Sequence, residues 1–596
     1  MDRRTIWAIL LMMAIAIAPA IFMKGKPAGP RGSGAVVLPD SSPTVVRDTT
    51  RSRRDSSEKQ ASSDSLPRSP GAPLGVGPAA PLRADSTAAP LLRSPAETTV
   101  RVTSPLYTYG ISSRGGRLVE ATLSRYQSMA SKGQRKSAQL LPPDSRLLDL
   151  TLVLGQDTIP LHDWPFTASA ESLDVKAPAS LRLSGARNGV NVDLTYTFRP
   201  DDYQIGVEGK VTGVGPNGGL VRVGMGPTIV NTEADSNENR RSLALVIKHN
   251  ETERTDFSGL KPGEPKTISG PLEWAAVKSK YFVTAVLALD STRGRIGGAT
   301  ATAPPTAGDD PHQANVDLSL PLPPSGSFGY TTYVGPMEMD RLARIGHSFD
   351  DVNPYGWPGF RTIIRPVAAG VRWLLVWMHE HLYLAYGMVL VIFGILVRAI
   401  LWPLNQKAMR ANMQLQAVQP LMKEIQDKHK SDPQRVQQEM FKLYKEHGVN
   451  PLGGCWPMLL PMPVLFALFF VFQNTIELRG ASFLWLPDLS RPDPLYIIPV
   501  VMGLSMWGLT KVGQVGMEAN PQMKMMLYIM PVMMTFLFLN FASGLNLYYA
   551  VSNIASIPQQ WLLARERQKR TAKAIVDVKT RTPEPKSKPA RAKRKA

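Results

Sequence analysis

Apolar positions are unevenly spread along this chain, and their spacing divides it into segments of different kinds. After Arg3 and Arg4, residues 6–23 are almost wholly apolar, close to the length a membrane crossing needs. Ala18-Pro19-Ala20 would suit signal cleavage, but the run continues through Ile21, Phe22 and Met23, which favours a retained N-terminal transmembrane anchor over 1–23. Residues 24–98 are rich in Pro, Ser, Ala and Gly with few large apolar side chains. Such a segment cannot offset its ordering entropy, so a disordered linker is expected there.

Over 99–345 short β-branched segments alternate with turn chemistry: Thr99–Ser104, Leu148–Leu154, Leu181–Leu183, Val190–Phe198, Tyr203–Val211, Tyr281–Leu289, Ala314–Leu320 and Tyr330–Val334. This pattern predicts a β-sandwich-like extracytoplasmic domain. Nothing in it forms a catalytic set, so a scaffold or interaction role is the default. Residues 355–380 predict an amphipathic helix with Arg361, Arg365, Arg372 and His379 on one face and Trp373 and Trp377 away from them. Such a helix would lie on the outer membrane surface; packing against the β-domain is the alternative.

Five apolar stretches follow within 381–564: Leu382–Trp402, Met458–Gln473, Leu495–Leu509, Met525–Phe541 and Leu545–Leu563. They predict an α-helical bundle of five core transmembrane helices, several of them short enough to thin the bilayer. Lys and Arg crowd 405–450, whereas only Arg479 and Arg491 lie between the second and third stretches, which places both chain ends in the cytoplasm. The 405–450 segment reads as a helical hairpin that restarts at Asp432-Pro433, with Val418, Leu421, Met422 and Ile425 facing Val436, Met440 and Leu443.

Charge and chemistry sharpen this picture. Of the formal +20, half sits in the basic tail 565–596, where thirteen Lys or Arg face three acidic residues. That tail reads as a topology determinant or as an attractor for ribosomal RNA or anionic lipid. No aromatic residue interleaves it for base stacking, and DNA is not an expected partner. The lone Cys455 excludes a disulfide framework, Met378-His379-Glu380-His381 lacks zinc-hydrolase spacing, and no nucleotide-binding loop is present. No cofactor, metal or catalytic residue is expected.

Three features carry candidate function. Arg398 is ionisable inside the first stretch, where it either snorkels to headgroups or lines a hydrated cavity. Asn546, Tyr549, Asn553, Ser556 and Gln560 recur at intervals of three and four on the last stretch, as interhelical glue or as the lining of a groove. Methionines crowd the third and fourth stretches, as lipid-facing filler or as an adaptable apolar slide. Met458, Met462 and Phe466 with Met526, Met530 and Met533 are the candidate slide residues.

Asp432-Pro433-Gln434-Arg435, Asn450-Pro451-Leu452-Gly453-Gly454-Cys455-Trp456-Pro457, Ser543-Gly544-Leu545-Asn546-Leu547-Tyr548-Tyr549 and Tyr333-Val334-Gly335-Pro336 together resemble the YidC membrane protein insertase family, in its Gram-negative form with a large periplasmic domain. The resemblance implies a periplasmic β-supersandwich, a non-enzymatic insertase and chaperone in the inner membrane, and a hydrophilic groove holding Arg398 and Tyr549. It implies nascent membrane proteins, membrane lipids, the Sec translocon and, through the basic tail, the ribosome as partners. Gly394 and Pro461 depart from a relative's threonine and glutamine. A solute transporter would need internal repeats, which are absent, and an envelope-assembly protein would act through its β-domain.

Overall fold

The computed structural model describes residues 97–130, 136–290, 294–306, 311–356, 359–430, 432–448, 462–516 and 521–581. The expected anchor and most of the linker, the end of the basic tail, Cys455, Met458 and Pro461 lie outside them.

The N-terminal half is built from three sheets of five, nine and six strands. In the nine-stranded sheet, Val190–Phe198 pairs with Ala179–Arg187 on one side and Gln204–Thr212 on the other, all antiparallel. Its alternation puts Val192, Leu194, Tyr196 and Phe198 inside while Asn191 and Asp193 face out, as a half-buried strand demands. Phe282–Leu287 is buried on both faces and lies between Trp274–Lys278 and Ser327–Pro336. Val102 and Tyr109 of the five-stranded sheet and Val221 and Leu318 of the six-stranded sheet join the same core. All eight expected strands occur, but Tyr107–Ser112, Leu118–Gln127, Ala244–Lys248 and Trp274–Lys278 are further strands that alternation alone missed. Ala244–Lys248 and Trp274–Lys278 are almost wholly buried, which removes the period-two signal. Helix α1 (Ser236–Ser242), capped by the Asp235 side chain, and α2 (Met339–Ile345) flank the sheets.

Helix α3 spans Arg361–Leu382. The arginines of its cationic face are engaged in ion pairs. Arg361 and Arg365 pair with Asp351 and Asp350, while Arg372 is buried between Asp340 of α2 and Glu477. Burial pushes the Glu477 carboxyl up, and Arg372 pulls it back. Among its exposed side chains are Trp373 and Trp377, stacked with centroids 6.4 Å apart. The helical wheel found the stripe but could not see the acidic groups that converge on it from distant turns.

Beyond α3 come α4 (Tyr386–Ala417), α5 (Gln419–Lys428), α6 (Pro433–Glu446), α7 (Met462–Asn474), α8 (Ile497–Gly513), α9 (Pro521–Phe538) and α10 (Ser543–Arg581). Among the described residues only Tyr386–Pro403 is long and apolar enough to cross a membrane by itself, and α7, α8 and 524–538 are shorter apolar helices. Helix α4 runs on past Pro403 rather than ending there. In the α5–α6 hairpin Asp432 accepts from the Arg435 amide at 3.1 Å, and Val418 packs with Leu443, Met422 and Ile425. Leu421, expected in that seam, is exposed, and Tyr444 fills the place with its hydroxyl 3.8 Å from Met422 Sδ.

The two halves are joined by a dense polar junction. Arg479, just after the 3-10 turn Ile476–Leu478, puts Nε 2.9 Å from both oxygens of Glu233. It also donates to the carbonyls of Gln127 and Thr232 at 2.8 and 2.9 Å. Tyr355 meets Thr475 at 3.1 Å, and Asn353 donates to the Asn474 carbonyl.

Candidate functional site

Helix α10 is the hub of the bundle: α8 packs along one side of it and α4 along another. Close approach to α4 depends on Gly394, where an added Cβ would lie 3.2 Å from Val551 Cγ1 and 3.6 Å from the Tyr548 ring. Phe393 meets Tyr548 with ring centroids 5.7 Å apart. One turn further along, Arg398 Nε donates to Ser552 Oγ at 2.7 Å. A turn beyond that, Gln559 Nε2 donates to the Trp402 carbonyl at 3.0 Å. The α4–α10 seam is therefore zipped by one glycine, one arginine and one glutamine at successive turns.

Arg398 is the unusual member. No carboxylate lies within ion-pairing distance among the described residues, and its two terminal nitrogens are neither hydrogen-bonded nor sealed from solvent. The side chain is half-buried on the one helix apolar enough to span. An unneutralised guanidinium in such a position costs about 2.5–3.5 kcal/mol on insertion scales unless water or an anion reaches it.

The expected polar stripe separates into parts. Asn553 Nδ2 donates to Ser505 Oγ of α8 at 3.1 Å, and Ser505 in turn donates to the Met502 carbonyl. Asn546 is fully buried and donates to the Phe538 carbonyl at the end of α9 at 3.0 Å. These two asparagines tie α10 to its neighbouring helices. Ser556 donates to the Ser552 carbonyl one turn back, and Gln560 lies against Gly513 with its Oε1 unpartnered. Tyr549 is half-buried, edge-on to Phe538 and Tyr548 at 5.6 Å.

The residues that meet α4 are Tyr548, Ser552 and Gln559, which the stripe omitted. Their own spacing of four and seven would have revealed this second face. Helical phase identifies which residues share a face, not which neighbour that face receives.

Of the apolar candidates, Met462 and Phe466 on α7 are half-buried, as are Met530 and Met533 on α9, and Met526 is exposed. Tyr528, Ile529, Val532 and Phe536 extend this open apolar surface along α9. Chemically, the bundle offers an anion-attracting cation on α4 and a long open apolar face on α9, with no metal-binding cluster among the described residues.

Comparison with known proteins places these features in context. A family model described as 60Kd inner membrane protein matches residues 377–571, and one described as YidC periplasmic domain matches residues 99–369. The membrane protein insertase YidC of Oleidesulfovibrio alaskensis is 32% identical over 482 residues, covering 78% of this chain and 86% of the relative. That of Chlorobium phaeovibrioides is 29% identical over 603 residues, covering 94% and 95%. A solved active YidC insertase with its first transmembrane domain resolved covers 79% of this chain and 93% of its own at 18% identity and a TM-score of 0.32, too loose a superposition to add to the fold.

Proposed function

The chain belongs to the YidC membrane protein insertase family, and from that membership we propose how its own residues carry a segment into the bilayer. It is an inner-membrane protein with a periplasmic domain, and it inserts proteins into that membrane. Five core helices, α4 and α7 to α10, span the bilayer beneath an N-terminal anchor, with both termini and the α5–α6 hairpin in the cytoplasm. The 99–345 region serves as a periplasmic supersandwich, and α3 rests at the outer surface on Trp373 and Trp377.

In this mechanism the short polar end of a nascent segment enters beside Arg398 from the cytoplasm. The guanidinium, oriented by Ser552, replaces part of the hydration which that end loses. An acidic side chain brought to about 4 Å gains roughly 4 kcal/mol at an effective dielectric of 20, enough to offset the cost of the buried cation. The following apolar segment moves along Met462, Phe466, Met526, Met530 and Met533, whose unbranched or flat side chains repack around varied sequences. Burial worth about 25 cal/mol per Å² draws it into lipid. Short helices thin the bilayer and shorten the polar passage. No bond is made or broken, so the protein works without catalysis or cofactor. The basic tail attracts the ribosome, and the periplasmic domain is available to the Sec translocon.

The observation that carries this reading is the unpaired Arg398, held at the α4–α10 seam with two nitrogens open. The test is insertion of a single-span substrate with an acidic tail into proteoliposomes. Arg398→Ala is expected to lower insertion about tenfold or more, with a smaller loss when the tail is neutral. Equal insertion of both tails by the variant and the parent would overturn the role of the arginine.

A further inference from the structure

A second site lies on the opposite side of the bundle from the expected cytoplasmic entry. A cavity of about 1290 Å³ separates the outer ends of the helices from the sheet face above them. Its two walls differ in chemistry. One is aromatic, from Phe469, Phe470 and Phe472 of α7, Phe536 of α9 and Phe541 beyond it. The other is one face of three adjacent strands. The register pairs Val246 with Arg254, Lys248 with Thr252, and Ala244 with Lys278, so Lys248, Arg254 and Lys278 project to the same side.

The carboxylates on the polar wall are already engaged. Glu238 pairs with Lys280 at 2.8 Å, Asp351 with Arg361, and Asp235 caps α1, leaving Glu251 exposed. Arg254 is held by Asp256. Two lysines remain. Lys248 is half-buried and has neither a side-chain hydrogen bond nor an ion pair among the described residues. Lys278 is 3% exposed, and among the described residues its amine donates to a single acceptor, Asn353 Oδ1 at 2.8 Å. A lysine amine can make more than one hydrogen bond, so Lys278 is under-satisfied in a place where a polar group is costly to bury.

The aromatic wall belongs at the depth of lipid headgroups if the helices lie in a bilayer as proposed above, and the inference rests on that placement. We propose that this cavity binds an anionic phospholipid of the outer leaflet, with its phosphate at Lys248 and Lys278 and its upper acyl carbons against the phenylalanines. Shape and charge both call for an amphiphile. A soluble anion would leave the aromatic wall in water, and a zwitterionic lipid would bring its own ammonium up against Lys248. The bound lipid would act as a cushion between the β-domain and the bundle, at a gap their direct contacts leave open.

The test uses the full chain in phosphatidylcholine nanodiscs doped with a photoactivatable phosphatidylglycerol, followed by digestion and mapping of adducts. Adducts are expected on the peptides carrying Lys248 and Phe536, and not when photoactivatable phosphatidylcholine replaces the anionic lipid. Lys248→Glu, at a half-buried position, reverses one charge and is expected to lower the adduct yield about 30-fold. Lys278→Met should lower it independently. Equal labelling by both lipids, or an unchanged yield in Lys248→Glu, would overturn the proposal. Suppression of the adducts by inorganic phosphate would assign the site to a free anion and overturn it equally. So would a stalled nascent chain that crosslinks into the cavity and displaces the lipid. Because the readout is lipid contact, loss of insertion with adducts retained would strike the Arg398 mechanism alone.

Discussion

Replacing Arg479 with alanine removes the centre of the junction between the β-domain and the bundle. The arginine side chain is 3% exposed and its partner Glu233 8%. It answers both carboxylate oxygens and two backbone carbonyls, and its guanidinium lies 5.4 Å over the Phe282 ring. Breaking a buried pair by removing one partner costs about 3–5 kcal/mol, because the other charge is left uncompensated. At about 1.4 kcal/mol per tenfold, the junction should open at least 100-fold more often. Hydrogen exchange of the full-length protein in nanodiscs measures this directly. Amides at 474–481 and 230–234 are expected to lose protection by that factor, while those of Val190–Phe198, deep in the β-core, stay unchanged. The double variant Arg479→Met with Glu233→Gln should recover part of the loss, since it removes the orphaned charge as well as the pair. Unchanged exchange at the junction would refute the reasoning, and so would a uniform loss across the β-domain, which would mean that Arg479 supports the fold and not the joint.

Three further outcomes follow from the same geometry. Gly394→Val should force α4 away from α10, destabilising the bundle by about 1–3 kcal/mol in thermal unfolding, and Val551→Ala in the same chain should restore part of it; additive losses would argue against contact. Ser552→Ala removes the one hydrogen bond that orients Arg398 among the described residues, so insertion of acidic-tailed substrates should fall less than in Arg398→Ala but in the same tail-dependent way. Burial, with Arg254 adding to it, holds the Lys278 amine well below its usual range. The unfolded chain keeps that proton up to about pH 10.4, so this lysine costs stability as pH falls from there towards the depressed folded value. Lys278→Met should therefore stabilise the protein more at about pH 7 than at about pH 10 in thermal melts, and an equal shift at both would contradict a buried, desolvated amine.

Properties that reside in local spacing are legible in the sequence alone. Alternation locates Val190–Phe198, the Asp432-Pro433 restart locates α6, and apolar length locates the helices of the C-terminal half. The solitary charge within the apolar stretch Leu382–Trp402 marks Arg398. Each of these depends on how one short stretch meets solvent or lipid, which its own side chains dictate. Buried strands such as Trp274–Lys278 escape because a strand covered on both faces has no alternation to show.

Partnership is another matter, because it joins residues hundreds of positions apart. Arg479, in sequence one of two stray cations in an outer loop, is in the fold the clasp to Glu233, 246 positions away. Arg361, Arg365 and Arg372 have the spacing of a membrane-facing stripe, yet Asp351, Asp350, Asp340 and Glu477 arrive from other elements to cover it. Asn546 and Asn553 tie α10 to neighbouring helices, while Ser552 takes the place beside Arg398. Periodicity along a helix fixes the angle at which each side chain leaves the axis. Which surface meets it there is set by the packing of the whole chain, and that alone decides whether a polar group faces water, a partner or the passing substrate.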